Sequence, residues 1–222
     1  MKLKHIKESH SSFFQMPAEG KGIPEVNKLF DLRRIKYKVN SNGEYDIMGD
    51  FSISALRDYM GPENSIFVPD GSKLRIKFGT VTGYFDISST FDLKSLEGCP
   101  RSVGENFDCS YNWDLKNLVG GPKQVGGDYD CHDSGIRTLK GAPERIDGAF
   151  VCSNCENLIS LKGGPKEVTG HFRCEGCEKL DSLEGAPAKV GTFECDKKFT
   201  KDEVKEVSKV RSAIINGVDY SK

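Results

Sequence analysis

Residues 152–177 read CSNCENLISLKGGPKEVTGHFRCEGC. Two Cys-x-x-Cys pairs, Cys152/Cys155 and Cys174/Cys177, are separated by eighteen residues, a spacing that fits a structural zinc site. The same stretch also fits one and a half copies of a repeat, and the flanking sequence continues it. Prolines fall at 100, 122, 143, 165 and 187, in steps of 22, 21, 22 and 22. Cysteines fall at 109, 131, 152, 174 and 195, in steps of 22, 21, 22 and 21. Phe107, Tyr129, Phe150, Phe172 and Phe193 keep the same register, as do Val81, Val103, Val125, Ile146, Val168 and Val190. Leucine-type pairs recur at 93/96, 115/118, 136/139, 158/161 and 180/183. Such self-similarity marks a solenoid.

Within one unit the aromatic and the first cysteine are two residues apart, so both face the same side of a short strand. Ile87 occupies the first cysteine's column, so that slot takes a small apolar group, which a reduced cysteine supplies. The second cysteine shares its column with Thr90, Asn112 and Ser134, short polar side chains suited to bonding the backbone of a tight bend. The cysteines are therefore expected to be structural thiols, with a zinc site as the alternative, because stacked turns about 4.8 Å apart could bring four thiols together.

The pattern aromatic-x-Cys-x-x-(Asn/Cys/Ser)-x-x-Leu-x-x-Leu-x-Gly-x-Pro-x-x-Val-x-Gly resembles the leucine-rich repeat. It is most similar to the short proline-containing repeats of bacterial effectors and of phage-encoded repeat proteins. The resemblance covers about residues 74–196. Two departures stand out: most units place the leucine three residues after the Asn/Cys column, and valine to aromatic is usually four residues. The unit beginning at Cys131 is one residue short, and the missing residue falls in the bend after its strand.

The fold expected is mainly β: a leucine-rich-repeat-like solenoid of short strands with small α caps at the N- and C-terminal ends. Residues 1–73 read as an arm, a short helix from Pro24 to about Arg34, a hairpin at Asn42-Gly43 and a capping region. Within that region GDFSI (49–53) echoes GDYDC (127–131) as an edge turn, and 57–73 is a loop insertion. Residues 74–196 form the solenoid. Residues 197–222 read as a C-terminal capping helix with a Thr200/Glu203 capping box, an apolar stripe of Val204, Val207, Val210 and Ile214, and Gly217 as its stop. A single unit cannot bury enough surface to stand alone, so stacking and caps are required.

Composition narrows the function. The 222 residues carry a formal net charge of -1, which offers no bulk basicity for nucleic acid. No apolar run reaches membrane-spanning length, and no export signal is apparent, so a cytoplasmic location is expected, the host cytoplasm if the chain is phage-encoded. Cys131-His132-Asp133 holds the residue types of a thiol triad, but consecutive residues on one strand do not form one. No phosphate loop and no paired carboxylates stand out, so neither catalysis nor a cofactor is expected.

The strand face is the candidate site. Residues between the inward aromatic and cysteine point outward, which places Asp86, Asp108, Asp130 and Arg173 in one column. Asp128 and His171 precede that column, and Tyr111, His132 and Asp133 follow it. Lysines and arginines such as Lys94, Arg101, Lys116, Lys123, Lys162 and Lys166 lie on the opposite segments. The expectation is a monomeric, non-catalytic module that uses its acidic strand face to bind a protein partner with a basic surface. A nucleic-acid-associated protein using the basic side, and a zinc-stabilised scaffold, are the alternatives.

Overall fold

The computed structural model describes residues 20–59, 66–90, 92–215 and 218–219. The expected arm over 1–22 lies almost wholly outside the described residues, as does part of the expected loop insertion.

Helix α1 (Pro24–Leu32) begins with Pro24 in its first turn, where a missing N–H costs nothing, and buries Val26, Leu29 and Phe30. Strands β1 (Tyr37–Val39) and β2 (Tyr45–Ile47) pair antiparallel. The side chain of Asn40 accepts from the N–H groups of Asn42 and Glu44, and Gly43 takes φ 74° in the turn the sequence predicts. Tyr45 is buried, and its hydroxyl accepts from the Ile23 N–H at 2.6 Å and donates to Asn27 at 2.9 Å, tying the helix start to the hairpin. Strand β3 (Phe51–Ser52), the predicted edge turn, pairs parallel with β5 (Phe85–Asp86), and a 3-10 helix (Ser54–Tyr59) follows it.

From Phe78 onward each turn gives one short strand to each of two parallel sheets. The valine segments form β4 (Phe78–Val81), β6 (Ser102–Val103), β8 (Gln124–Val125) and β10 (Arg145–Ile146). The aromatic segments form β5, β7 (Phe107–Asp108), β9 (Tyr129–Asp130) and β11 (Phe150–Val151). In the last two turns the segments fuse into β12 (Glu167–Arg173) and β13 (Lys189–Cys195). Valine to aromatic is four residues in β12 but three in β13, and the register shifts between Val168 and His171 to absorb the difference. The result is a mainly β solenoid of about six turns.

The columns of the sequence become stacks in the core. Phe51, Phe85, Phe107, Tyr129, Phe150, Phe172 and Phe193 form a ladder with successive ring centroids 4.9–5.9 Å apart. The leucine pairs and the cysteines stack beside it, all buried. The short turn has a physical counterpart at Gly135: a Cβ placed there would lie 1.7 Å from the backbone oxygen of Trp113 in the turn before. The tightened bend therefore presses backbone against backbone. In the same turn the valine sheet breaks, because its ladder runs β1-β2-β4-β6-β8 whereas β10 pairs with β12.

The C-terminal cap departs from expectation. Helix α2 (Lys201–Val207) has the predicted Thr200/Glu203 capping box and buries Val204, but it stops there. Val210 and Ile214 lie in strand β14 (Lys209–Ile215), which runs parallel to β13 with Val210 opposite Val190, and β15 (Val218–Asp219) folds back on it. The open edge of β13 offers a full ladder of backbone partners, and β-branched residues fit a strand better than a helix. The ladder wins. Gly217, the expected helix stop, lies outside the described residues.

The thiols

All eight cysteines are unbonded and buried. Those of the second column donate to backbone carbonyls of the preceding turn: Cys155 Sγ to Cys131 O at 3.3 Å and Cys177 Sγ to Cys152 O at 3.2 Å. Asn112 and Ser134 do the same with Nδ2 and Oγ, to Ile87 O at 3.1 Å and Cys109 O at 3.2 Å, and Thr90 Oγ1 bonds Ile87 O at 2.8 Å. One ladder of donors thus satisfies the carbonyls that the bends would otherwise bury unpaired. Burial pushes the thiols up, to about 12 for Cys177, so they keep the proton that this role needs. Zinc would require them to lose it. Among the described residues no group of three or more His, Cys, Asp or Glu is placed to hold a metal ion.

Cys155→Asn is therefore expected to change stability by no more than about 1 kcal/mol, because a column donor is replaced by one used two turns earlier. Chelator should leave the thermal melt in place. About one zinc per chain in the purified protein, with unfolding on chelation, would instead identify a metal scaffold.

Candidate partner-binding site

The outward face of the aromatic-strand sheet brings Asp86, Asp108 and Asp130 into register on β5, β7 and β9, each directly opposite the next. Like charges at such spacing repel. Each carboxylate is half-buried and turns Oδ1 to its own bend: Asp86 accepts from the Ser88 N–H at 2.9 Å, Asp108 from Ser110 at 2.8 Å and Asp130 from His132 at 3.0 Å. These aspartates thus hold the bends as well as charging the face. Charge reversal there would cost the bends their acceptors. Asparagine is the substitution that keeps them.

Asp108 feels the stack. Desolvation pushes its carboxyl above the usual range, the Ser110 hydrogen bonds oppose the shift, and the neighbouring Asp130 and Asp86 add to it. A carboxyl held above its unfolded value binds its proton more tightly when folded, so its contribution is greatest in acid and is lost as pH rises through the raised value. Asp108→Asn is expected to match or exceed the parent's stability at neutral pH and to lose that advantage below about pH 4. Urea midpoints across pH read this directly; an asparagine variant weaker than the parent at pH 7 and equal to it in acid would contradict it.

Around the ladder the other predicted residues divide into two groups. His132 joins it: Nδ1 lies 2.7 Å from Asp130, Nε2 is 3.8 Å from Asp133, and the ring meets Tyr111 edge-on at 4.6 Å. Asp128 is exposed and caps the next turn by accepting from the Ala149 N–H at 2.7 Å. His171 and Arg173 stand further along the stack, and both pair with Glu194 of the next turn, Arg173 at 3.1 Å. That end of the face neutralises itself, so the acidic part is confined to the turns of Asp86, Asp108 and Asp130.

Two features escaped the sequence reading. Trp113, 58% exposed, lies in the same bend as the 42%-exposed Tyr111, with buried Asn112 between them. The second feature is the left-handed bend column Ser89, Tyr111, Asp133, Asn154 and Gly176, all at φ 49–72°. Asp, Asn and Gly suit that conformation; a bulky tyrosine does not. The 22-residue register pointed to the column, but only backbone geometry shows the strain.

The opposite side carries the exposed basic residues, but it is not uniformly basic. Arg101 pairs with Glu44 at 3.2 Å, Lys162 with Glu184 at 2.9 Å and Lys166 with Glu144 at 2.8 Å. The two lysine pairs are exposed and contribute little to stability, and all three break up any continuous basic stripe. Among the described residues no helix is long and apolar enough to cross a membrane. No protein-family model matches the chain, and no curated protein or solved structure gives a significant match to it.

Proposed function

We propose that this chain is a non-catalytic protein-binding module whose acidic strand face engages a basic surface on a protein partner. In keeping with its repeat pattern, it is a phage-encoded or bacterial cytoplasmic protein that modulates the partner it binds. The observation that carries this reading is Tyr111. It is a large aromatic, exposed beside three stacked carboxylates and held at φ 55° in a column otherwise filled by small or bend-forming residues. Strained backbone and exposed aromatics concentrate where proteins make contacts.

The test is a pulldown with the intact chain and two variants, followed by mass spectrometry. A partner retained by the parent and by Lys116→Glu/Lys162→Glu, but lost with Tyr111→Ala, is the expected result. Tyr111→Ala should act through faster dissociation, because a buried aromatic anchor is commonly worth about 2 kcal/mol or more. A partner lost with the lysine variant and kept with the tyrosine variant would move the site to the opposite side.

A further inference from the structure

Asp108 and Asp130 each commit Oδ1 to a bend, and among the described residues neither Oδ2 has a hydrogen-bond partner. The two residues stand opposite one another on adjacent strands, about 4.8 Å apart. Tyr111 and Trp113 are exposed in the bend that follows Asp108. One turn beyond Asp130, Ser153 is only 8% exposed, and its hydroxyl has no partner. Ser153 occupies the column of Ser110, whose hydroxyl donates to Asp108 two residues earlier. Val151 stands at the corresponding position for Ser153, opposite Asp130, and offers no acceptor. The hydroxyl is thus left over at the border of the carboxylates, where an incoming N–H would satisfy it.

We propose that Asp108, Asp130 and Tyr111 clasp an arginine side chain carried on an extended segment of the protein partner, with Ser153 accepting a further hydrogen bond from that segment. This rests on the strand-face reading and names the chemistry it recognises. A guanidinium presents several donors in one plane, enough to bridge two carboxylates on neighbouring strands, and its weak hydration lets it stack on an aromatic ring. An ammonium group offers one charge centre and is more strongly hydrated, so lysine is the poorer fit. A cation between the two aspartates also removes the repulsion that their register imposes.

Trp113 is the only tryptophan of the chain, so its fluorescence reports on the site. Titrating the full-length protein with an arginine hexapeptide is expected to give a saturable change, with affinity about tenfold above that for a lysine hexapeptide of equal charge. Asp108→Asn/Asp130→Asn should abolish the saturable change, and Tyr111→Ala should erase the arginine preference while leaving weak, salt-sensitive binding. Ser153→Ala should weaken the arginine peptide by a few-fold. Equal affinity for both peptides, no saturable change, or saturable binding of calcium alone that displaces the arginine peptide would each overturn the inference. If the peptides fail but a captured partner is still lost with Tyr111→Ala, the guanidinium clasp is wrong and the strand-face reading stands.

Discussion

Gly135→Ala is expected to destabilise the protein by more than about 3 kcal/mol, at or beyond the upper end of what overpacking usually costs. The added methyl would lie 1.7 Å from the backbone oxygen of Trp113. That atom cannot rotate away as the tip of a side chain can. Gly135 N–H also donates to Asn112 O at 3.1 Å, so moving the bend apart would break a bond between turns. Gly43→Ala provides the contrast: nothing lies within 4 Å of its Cβ, and only the left-handed φ of 74° opposes the change. That strain is worth about 1–2 kcal/mol. Urea midpoints for the two variants should differ clearly, with Gly135→Ala the weaker. A Gly135→Ala protein within about 1 kcal/mol of the parent would mean that the short turn can open at little cost.

The inside of the solenoid was far more legible than its ends or its face. Interior positions repeat because each contacts its own copy one turn away. The Phe107–Tyr129–Phe150 column, the Leu115/Leu118 pair and the Cys131 column therefore appear as periods before any geometry is known. Even the 21-residue turn was visible as a deletion between Cys131 and Ile136. The C-terminal strand was not, because β14 keeps the register only in part. Its Lys209-Val210 repeats Lys189-Val190, but Ala213 stands opposite Phe193 and Ile215 opposite Cys195. With the aromatic and the cysteine gone, the spacing of 204, 207, 210 and 214 imitates a helical stripe.

On the strand face, pattern gave direction but not partners. Alternation sent Asp86, Asp108 and Asp130 outward, as observed. It could not say that each would also serve its own bend, or that Glu194 would draw His171 and Arg173 away from the acidic half. Those outcomes depend on which side chains meet across turns, and a one-residue register shift such as the one beside His171 decides that. Trp113 was missed for a related reason: it falls in no apolar column, and an unrepeated residue leaves no period.

Ending the chain at residue 197 is expected to leave an aggregating species. The seven-residue β13 would become the solenoid's last strand, and its ladder groups would lose the six residues of β14 now opposite them. A longer open edge than any of the two-residue strands earlier in the stack would then face solvent, the condition under which parallel turns pair with a second chain. The apolar cover would go too. Phe199 and Val204, 4% and 0% exposed, are each worth roughly 1.5–3 kcal/mol of burial. Because stability in a stack passes from turn to turn, the loss should spread inward from this end. Light scattering and a thermal melt separate the possibilities: higher-order species and a lowered, broadened transition are expected. Val204→Asp, which buries a charge without opening the edge, should lower the melt with less association. A truncated chain that stays monomeric and melts with the parent would mean that β13 protects its own edge, and α2 and β14 would then be an appendage rather than a cap.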